Sequence, residues 1–113
     1  MADGINLVVY PVTDLDASKN LYTKLFNAAP YADSPYYVGF RVGDIEFGLD
    51  PNGASRGMTA PVAYWPVDDI HKSLQQLLDA GAQAHLDVTD VGGGKLIALV
   101  KDPAGNIIGL AQK

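Results

Sequence analysis

The feature that most constrains this fold is a repeat. Tyr10-Pro11-Val12-Thr13-Asp14-Leu15 returns as Trp65-Pro66-Val67-Asp68-Asp69-Ile70 at a constant offset of 55 residues, and Ser18 and Ser73 keep the same offset. In each copy an apolar, partly β-branched stretch runs into proline. An acidic side chain follows that can accept the free N–H groups at the start of a helix. The chain has 113 residues, so both copies belong to one domain-sized unit.

Hydrophobic periodicity extends the repeat outward. Ile5–Val12 reads as a strand, and Asp14 or Thr13 caps a helix from Leu15 to about Asn27 whose buried face is Leu15, Leu21, Tyr22, Leu25 and Phe26. Ala28–Asp33 reads as a short strand, and Tyr36–Val42 and Ile45–Asp50 as a hairpin about Gly43-Asp44. Residues 51–59, rich in turn-forming types, read as a linker. The pattern then restarts. Pro61–Val67 is a predicted strand, and Asp68 caps a helix to about Ala80 with Ile70, Leu74, Leu77 and Leu78 buried and Gly81 as its stop. Gln83–Thr89 is a further strand, and Val91–Gly94 a glycine turn. Leu96–Val100 and Ile107–Ala111 close the chain as a hairpin around Asp102-Pro103-Ala104-Gly105-Asn106. The result is one α+β domain of two βαβββ modules, residues 5–50 and 60–112. Their helix-backed sheets are expected to pair into a curled mixed sheet around a cleft.

Composition narrows the function classes. With no cysteine there is no disulfide framework, thiolate metal site or thiol nucleophile. The start, MADGINLVVYPVTD, has no basic segment followed by a long apolar one, so it reads as mature and the protein as cytoplasmic. No apolar run approaches the roughly 18–20 residues of a membrane span. A net charge of −5 and a pI near 4.6 argue against a nucleic-acid partner.

Several side chains are candidates for chemistry. With a two-residue turn at Gly43-Asp44, Arg41 lies directly opposite Glu46 and shares its face with Tyr37. If Ile45, Phe47 and Leu49 pack under the first helix, Glu46 points to the opposite face; a one-residue slip would bury its charge. The Arg41–Glu46 pair reads either as a device orienting an anionic or amide-bearing ligand, or as a structural ion pair. His71 and His85 stand on separate elements and make a weak catalytic case. The four serines lack a neighbouring base, and Gly92–Gly94 lacks the context of a phosphate loop. Gly109 is odd: it leaves a gap in an otherwise apolar strand.

The two helix-start motifs, Val12-Thr13-Asp14-Leu15 and Val67-Asp68-Asp69-Ile70, together with Asp102-Pro103-Ala104-Gly105-Asn106-Ile107-Ile108-Gly109-Leu110, resemble the vicinal oxygen chelate superfamily. That superfamily contains glyoxalase I, fosfomycin-resistance enzymes, extradiol dioxygenases and bleomycin-resistance proteins, and the resemblance covers essentially the whole chain. It implies metal ligands at the first strand of each module and at the last strand in metal-dependent members. Here those positions are Leu7, Val62 and Gly109, none of which can ligate, so no metal or other cofactor is expected. The same register turns Leu7, Val9, Val62 and Tyr64 toward the cleft, with Ile97, Leu99 and Gly109, and puts Trp65 under the second helix. Tyr37, Arg41 and Glu46 add an aromatic and polar side. The resemblance therefore implies a binding protein for a small, partly aromatic or apolar organic molecule, an antibiotic or metabolite, and a homodimer. The alternative is a metal-independent lyase, isomerase or dioxygenase-like enzyme with Glu46, aided by His85, as acid or base. A third reading is an accessory module whose cleft a partner fills.

Overall fold

The computed structural model describes residues 4–113. Its elements are β1 (Leu7–Pro11), α1 (Leu15–Phe26), β2 (Ala32–Ser34), β3 (Tyr37–Val42), β4 (Ile45–Asp50), a 3-10 turn (Ala54–Arg56), β5 (Val62–Pro66), α2 (Ile70–Asp79), β6 (Gln83–Asp90), β7 (Leu96–Lys101) and β8 (Ile107–Gln112). The order is βαβββ twice, as the repeat predicts. The chain divides into two compact units, Asn6–Pro61 and Val62–Lys113, the latter joined by Gly4 and Ile5. No described helix is long and apolar enough to cross a membrane.

In the first unit the strands run β2-β3-β4-β1, with β1 and β4 parallel and the other pairs antiparallel. Its core lies between the sheet and α1, around Val38, Phe40 and Leu49, all fully buried. Aromatic rings fill most of the space. Phe26 packs at 5.0 Å from Phe47 and 5.2 Å from Phe40, and Tyr22 lies at 5.2 Å from Tyr10 (ring centroids). Burying each such side chain contributes about 1.5–3 kcal/mol.

The predicted buried face of α1 needs correction. Leu15, Tyr22 and Phe26 pack on the core, but Leu21 and Leu25 are 63% and 69% exposed. Each precedes an inward-facing aromatic by one residue, which rotates it about 100° around the helix. Two aromatic rings already fill the space beneath.

The second unit has the same topology, β6-β7-β8-β5, with β5 and β8 parallel. Its core is mainly aliphatic: Val67, Ile70, Leu74, Ala98, Val100 and Leu110, with Trp65, Leu77 and Leu78 packed against it. Trp65 thus sits under α2, as the register predicts. The helix cap differs from expectation. Asp69, not Asp68, holds the N-cap conformation and accepts from the Lys72 N–H at 3.1 Å. Asp14 does the same for Ala17 in α1 at 3.1 Å, so the two caps keep the offset of 55 residues.

Two further boundaries move. The strand expected over Ala28–Asp33 is confined to Ala32–Ser34. Asn27 closes α1 in the left-handed region with φ 52°, and of the residues between it and the strand Tyr31 already donates its N–H to the Gly39 carbonyl at 2.9 Å. Residues 51–59, expected as a linker, are structured: Met58 is buried, and Arg56 returns to pair with the buried Asp50. Asp50 also accepts the Asn52 N–H at 2.8 Å, and its carbonyl accepts from Val12 and Gly53. One residue thus joins the ends of β1 and β4 to the turn beyond them. The closing hairpin turn is built similarly. The Asp102 carboxylate accepts the N–H groups of Ala104 and Asn106, each at 2.9 Å, and Gly105 has φ 89°.

The caps provide a direct check on the repeat. Asp69→Ala is expected to cost about 1 kcal/mol in denaturant-unfolding stability, whereas Asp68→Ala stays within about 0.5 kcal/mol of the parent.

Candidate functional site

The face of the first sheet opposite α1 follows from the β3–β4 register. Val38, Phe40, Phe47 and Leu49 point at the helix, so the alternate residues turn away. Three cross-strand positions stand on that second face: Tyr37 with Asp50, Gly39 with Gly48, and Arg41 with Glu46. The last two are direct pairs, and the first continues the ladder by one step. Leu7 and Val9 join this face from β1, paired with Glu46 and Gly48. Polar groups therefore stand at both ends of the hairpin, and between them two strands meet with no side chain at all.

Tyr37 and Glu46 use that gap. The Tyr37 ring lies across Gly48: a Cβ placed there would sit 2.6 Å from the ring Cζ. This position carries the Tyr37 hydroxyl to Glu46, where it donates to Oε2 at 2.5 Å. Tyr31 closes the other side, its Cε1 3.0 Å from where a Gly39 Cβ would stand. Arg41 lies over the Tyr31 ring, 4.9 Å from the centroid, and only 3.9 Å from Glu46 Oε1. Its side chain is 58% exposed and that of Glu46 16%. Glu46 is a sheltered anion with a phenol as its main partner; Arg41 is an open cation resting on an aromatic face.

The electrostatics follow from this packing. Burial first, and then the Glu46 hydrogen bond and charge, hold the Tyr37 phenol far above the ordinary tyrosine range. The same causes push Tyr31 up to about 12, with Arg41 opposing them. Both phenols are therefore protonated donors at neutral pH.

The corresponding face of the second unit is a largely apolar counterpart of this ladder. In place of the three polar and glycine positions stand Ile97 with Ala111, Leu99 with Gly109, and Lys101 with Ile107. Gly109 also pairs with Tyr64 on β5. The Tyr64 ring occupies the gap: a Cβ on Gly109 would lie 2.6 Å from Cδ1. Tyr64, Val62 and Leu99 are all buried. The missing side chain in the last strand is therefore space taken by the protein's own ring.

The positions that the family resemblance assigns to metal ligands are Leu7, Val62 and Gly109. A leucine, a valine and a glycine do not fit a divalent metal. Among the described residues no group of three or more His, Asp or Glu side chains is placed to hold one. His71 is exposed on α2, and His85 is half-buried on β6. An open hollow of about 640 Å³ beside the start of α1, lined in part by Asp14, Asp16 and Asp33, contains none of the candidate residues. Sequence reasoning named Tyr37, Arg41 and Glu46 but missed Tyr31 and the pairing of Gly39 with Gly48. The predicted turn already implied that glycine pair; nothing local pointed to Tyr31.

A family model described as Glyoxalase/Bleomycin resistance protein/Dioxygenase superfamily matches residues 4–110. No curated protein matches the chain. Solved structures share the fold at low identity. The NAD-dependent benzaldehyde dehydrogenase from Legionella pneumophila is 17% identical with a TM-score of 0.79, covering 95% of this chain and 97% of that one. A glyoxalase/bleomycin resistance protein/dioxygenase superfamily member from Vibrio splendidus is 13% identical with a TM-score of 0.70, covering 95% and 97%. Methylmalonyl-CoA epimerase from Mycobacterium tuberculosis is 14% identical with a TM-score of 0.72, covering 98% and 88%.

The two tyrosine–glycine contacts differ in how they yield to a methyl group. Gly109→Ala meets a ring that is 1% exposed and is expected to cost about 1–3 kcal/mol on unfolding. Gly48→Ala meets the outer end of Tyr37, which swings aside and loses its bond to Glu46. Ultraviolet titration should show Tyr31 and Tyr37 ionising above the ordinary phenol range, and Glu46→Gln should lower both transitions. Because both folded values lie above the unfolded one, their contribution to stability is present below pH 10. It should fall as the pH rises toward 12 and beyond.

Proposed function

Because this chain belongs to the glyoxalase/bleomycin resistance protein/dioxygenase superfamily, we propose that it binds a small, partly aromatic organic molecule, an antibiotic or a metabolite, without a metal. The observation that carries this reading is the contrast between two sets of positions. Those where metal-dependent relatives hold ligands carry Leu7, Val62 and Gly109, whereas the β3–β4 face carries a built cluster of Tyr31, Tyr37, Arg41 and Glu46. An exposed guanidinium on an aromatic face, beside a sheltered carboxylate, supplies charge, stacking surface and an acceptor together.

The sheltered position of the Glu46 carboxylate supports a second reading, in which Glu46 moves a proton on a bound substrate. Methylmalonyl-CoA epimerase is among the proteins built on this fold. Under that reading Glu46→Gln abolishes turnover and spares binding.

The binding reading is tested by thermal shift against phenols, aromatic carboxylates and aromatic amides, with and without divalent metals, alongside metal analysis. A ligand at 100 times its Kd should stabilise the protein by about 2.7 kcal/mol irrespective of metal, and Arg41→Ala should weaken it about tenfold. One tightly bound divalent ion per chain would overturn the metal-free reading.

A further inference from the structure

We infer that the space above Gly39 and Gly48 is a binding slot for a phenol ring, that Tyr37 is its resident occupant, and that the ligand carries a hydroxyphenyl group which takes Tyr37's place. This inference rests on the binding function proposed above and names the class of ligand.

The floor of the slot is an omission of side chains. Gly39 and Gly48 face each other across two strands, where a sheet would ordinarily present packed side chains. The structure displays one way of filling it. A planar ring lies on Gly48, Tyr31 stands beside Gly39, and a hydroxyl on the ring reaches Glu46 Oε2 at 2.5 Å. Any ring of that size with a hydroxyl in the same place reproduces those contacts. The acceptor also sets the chemistry: an anionic carboxylate favours a neutral O–H donor and repels a second carboxylate.

Tyr37 can leave without disturbing the sheet. Its backbone is tied down independently of its ring. Ser34 Oγ accepts the N–H groups of Tyr36 and Tyr37 at 3.2 and 3.1 Å and donates to the Tyr37 carbonyl at 3.2 Å. Rotation about the side-chain bonds therefore moves the ring while β3 keeps its register. Exchanging one phenol for another conserves the hydrogen bond and the stacked area. Net affinity comes from the rest of the ligand, which reaches the exposed Tyr31 face and the Arg41 guanidinium, 53% and 58% exposed. The second unit offers no such slot, since Leu99 faces Gly109 there and Tyr64 is buried.

The test uses the whole chain with p-cresol, toluene and 4-methylbenzoate as probes. In the wild-type protein p-cresol should bind weakly, because the Tyr37 ring competes for the slot from within the chain and p-cresol carries nothing that reaches Tyr31 or Arg41. Tyr37→Ala should bind p-cresol at least about tenfold more tightly than the wild type does, with Tm rising by about 4–8 °C, and should bind the other two probes at least about tenfold more weakly. Should that variant fail to fold, Tyr37→Leu repeats the comparison with the same expected order of probes. Toluene or 4-methylbenzoate matching p-cresol in the variant, or p-cresol binding the variant no more tightly than the wild type, overturns the inference. An aromatic ligand that depends on Arg41 but does not move Tyr37 overturns it while the binding function stands. The absence of any Arg41-dependent ligand overturns both.

Discussion

On the sheet face away from its helix, each unit lays a tyrosine across a glycine on a neighbouring strand. A sheet that packs a helix on one face must still do something with the other. A glycine there removes side-chain contacts that the strand pair would otherwise gain. Tyr37 over Gly48 and Tyr64 over Gly109 restore that contact with a ring that is broad, flat and supplied from the adjacent strand. Their dependence is mutual, since each ring has its place only because the glycine has no Cβ. The polar cluster follows from this arrangement: the line that takes the Tyr37 ring over Gly48 brings its hydroxyl to Glu46.

The architecture was legible because the repeat writes each boundary twice. Proline, acidic cap and apolar periodicity recur at one offset, and the structure returns matching units with Asp14 and Asp69 in matching roles. Errors fell where local pattern and tertiary space disagree. Leu21 and Leu25 satisfy a helical repeat as well as Tyr22 and Phe26 do, yet the core beneath α1 has room for one stripe, and the aromatic one fills it. Asp68 and Asp69 are chemically alike, so only the backbone conformation at the helix start separates them. The order in residues 51–59 comes from Arg56 reaching Asp50, a contact that composition cannot disclose.

The candidate cluster was half legible for the same reason. A two-residue turn sets the cross-strand register, so Arg41 opposite Glu46 was readable, and counting on would have reached Gly39 with Gly48. The diagonal reach of Tyr37 was not readable, because a side chain's lean along a strand is set by what its neighbours leave open. Tyr31 lies before the edge strand, where no periodicity exists to orient it. Gly109 makes a related point, since the gap it leaves in the strand is filled by the Tyr64 ring. A missing side chain in a sequence marks a volume, and only the fold says whether that volume is empty.

The matched ladders of the two units, polar in β3–β4 and largely apolar in β7–β8, carry a consequence for how such a molecule can change. A fold made of two similar halves is able to assign opposite duties to one position. At the glycine common to both, one half has a ring sealed into dry packing, and the other has a ring left half-exposed with a charged partner. A substitution beside Gly39 or Gly48 meets a polar cluster with an exposed guanidinium, whereas one at Gly109 meets a buried ring, so the two copies of one structural idea tolerate change differently.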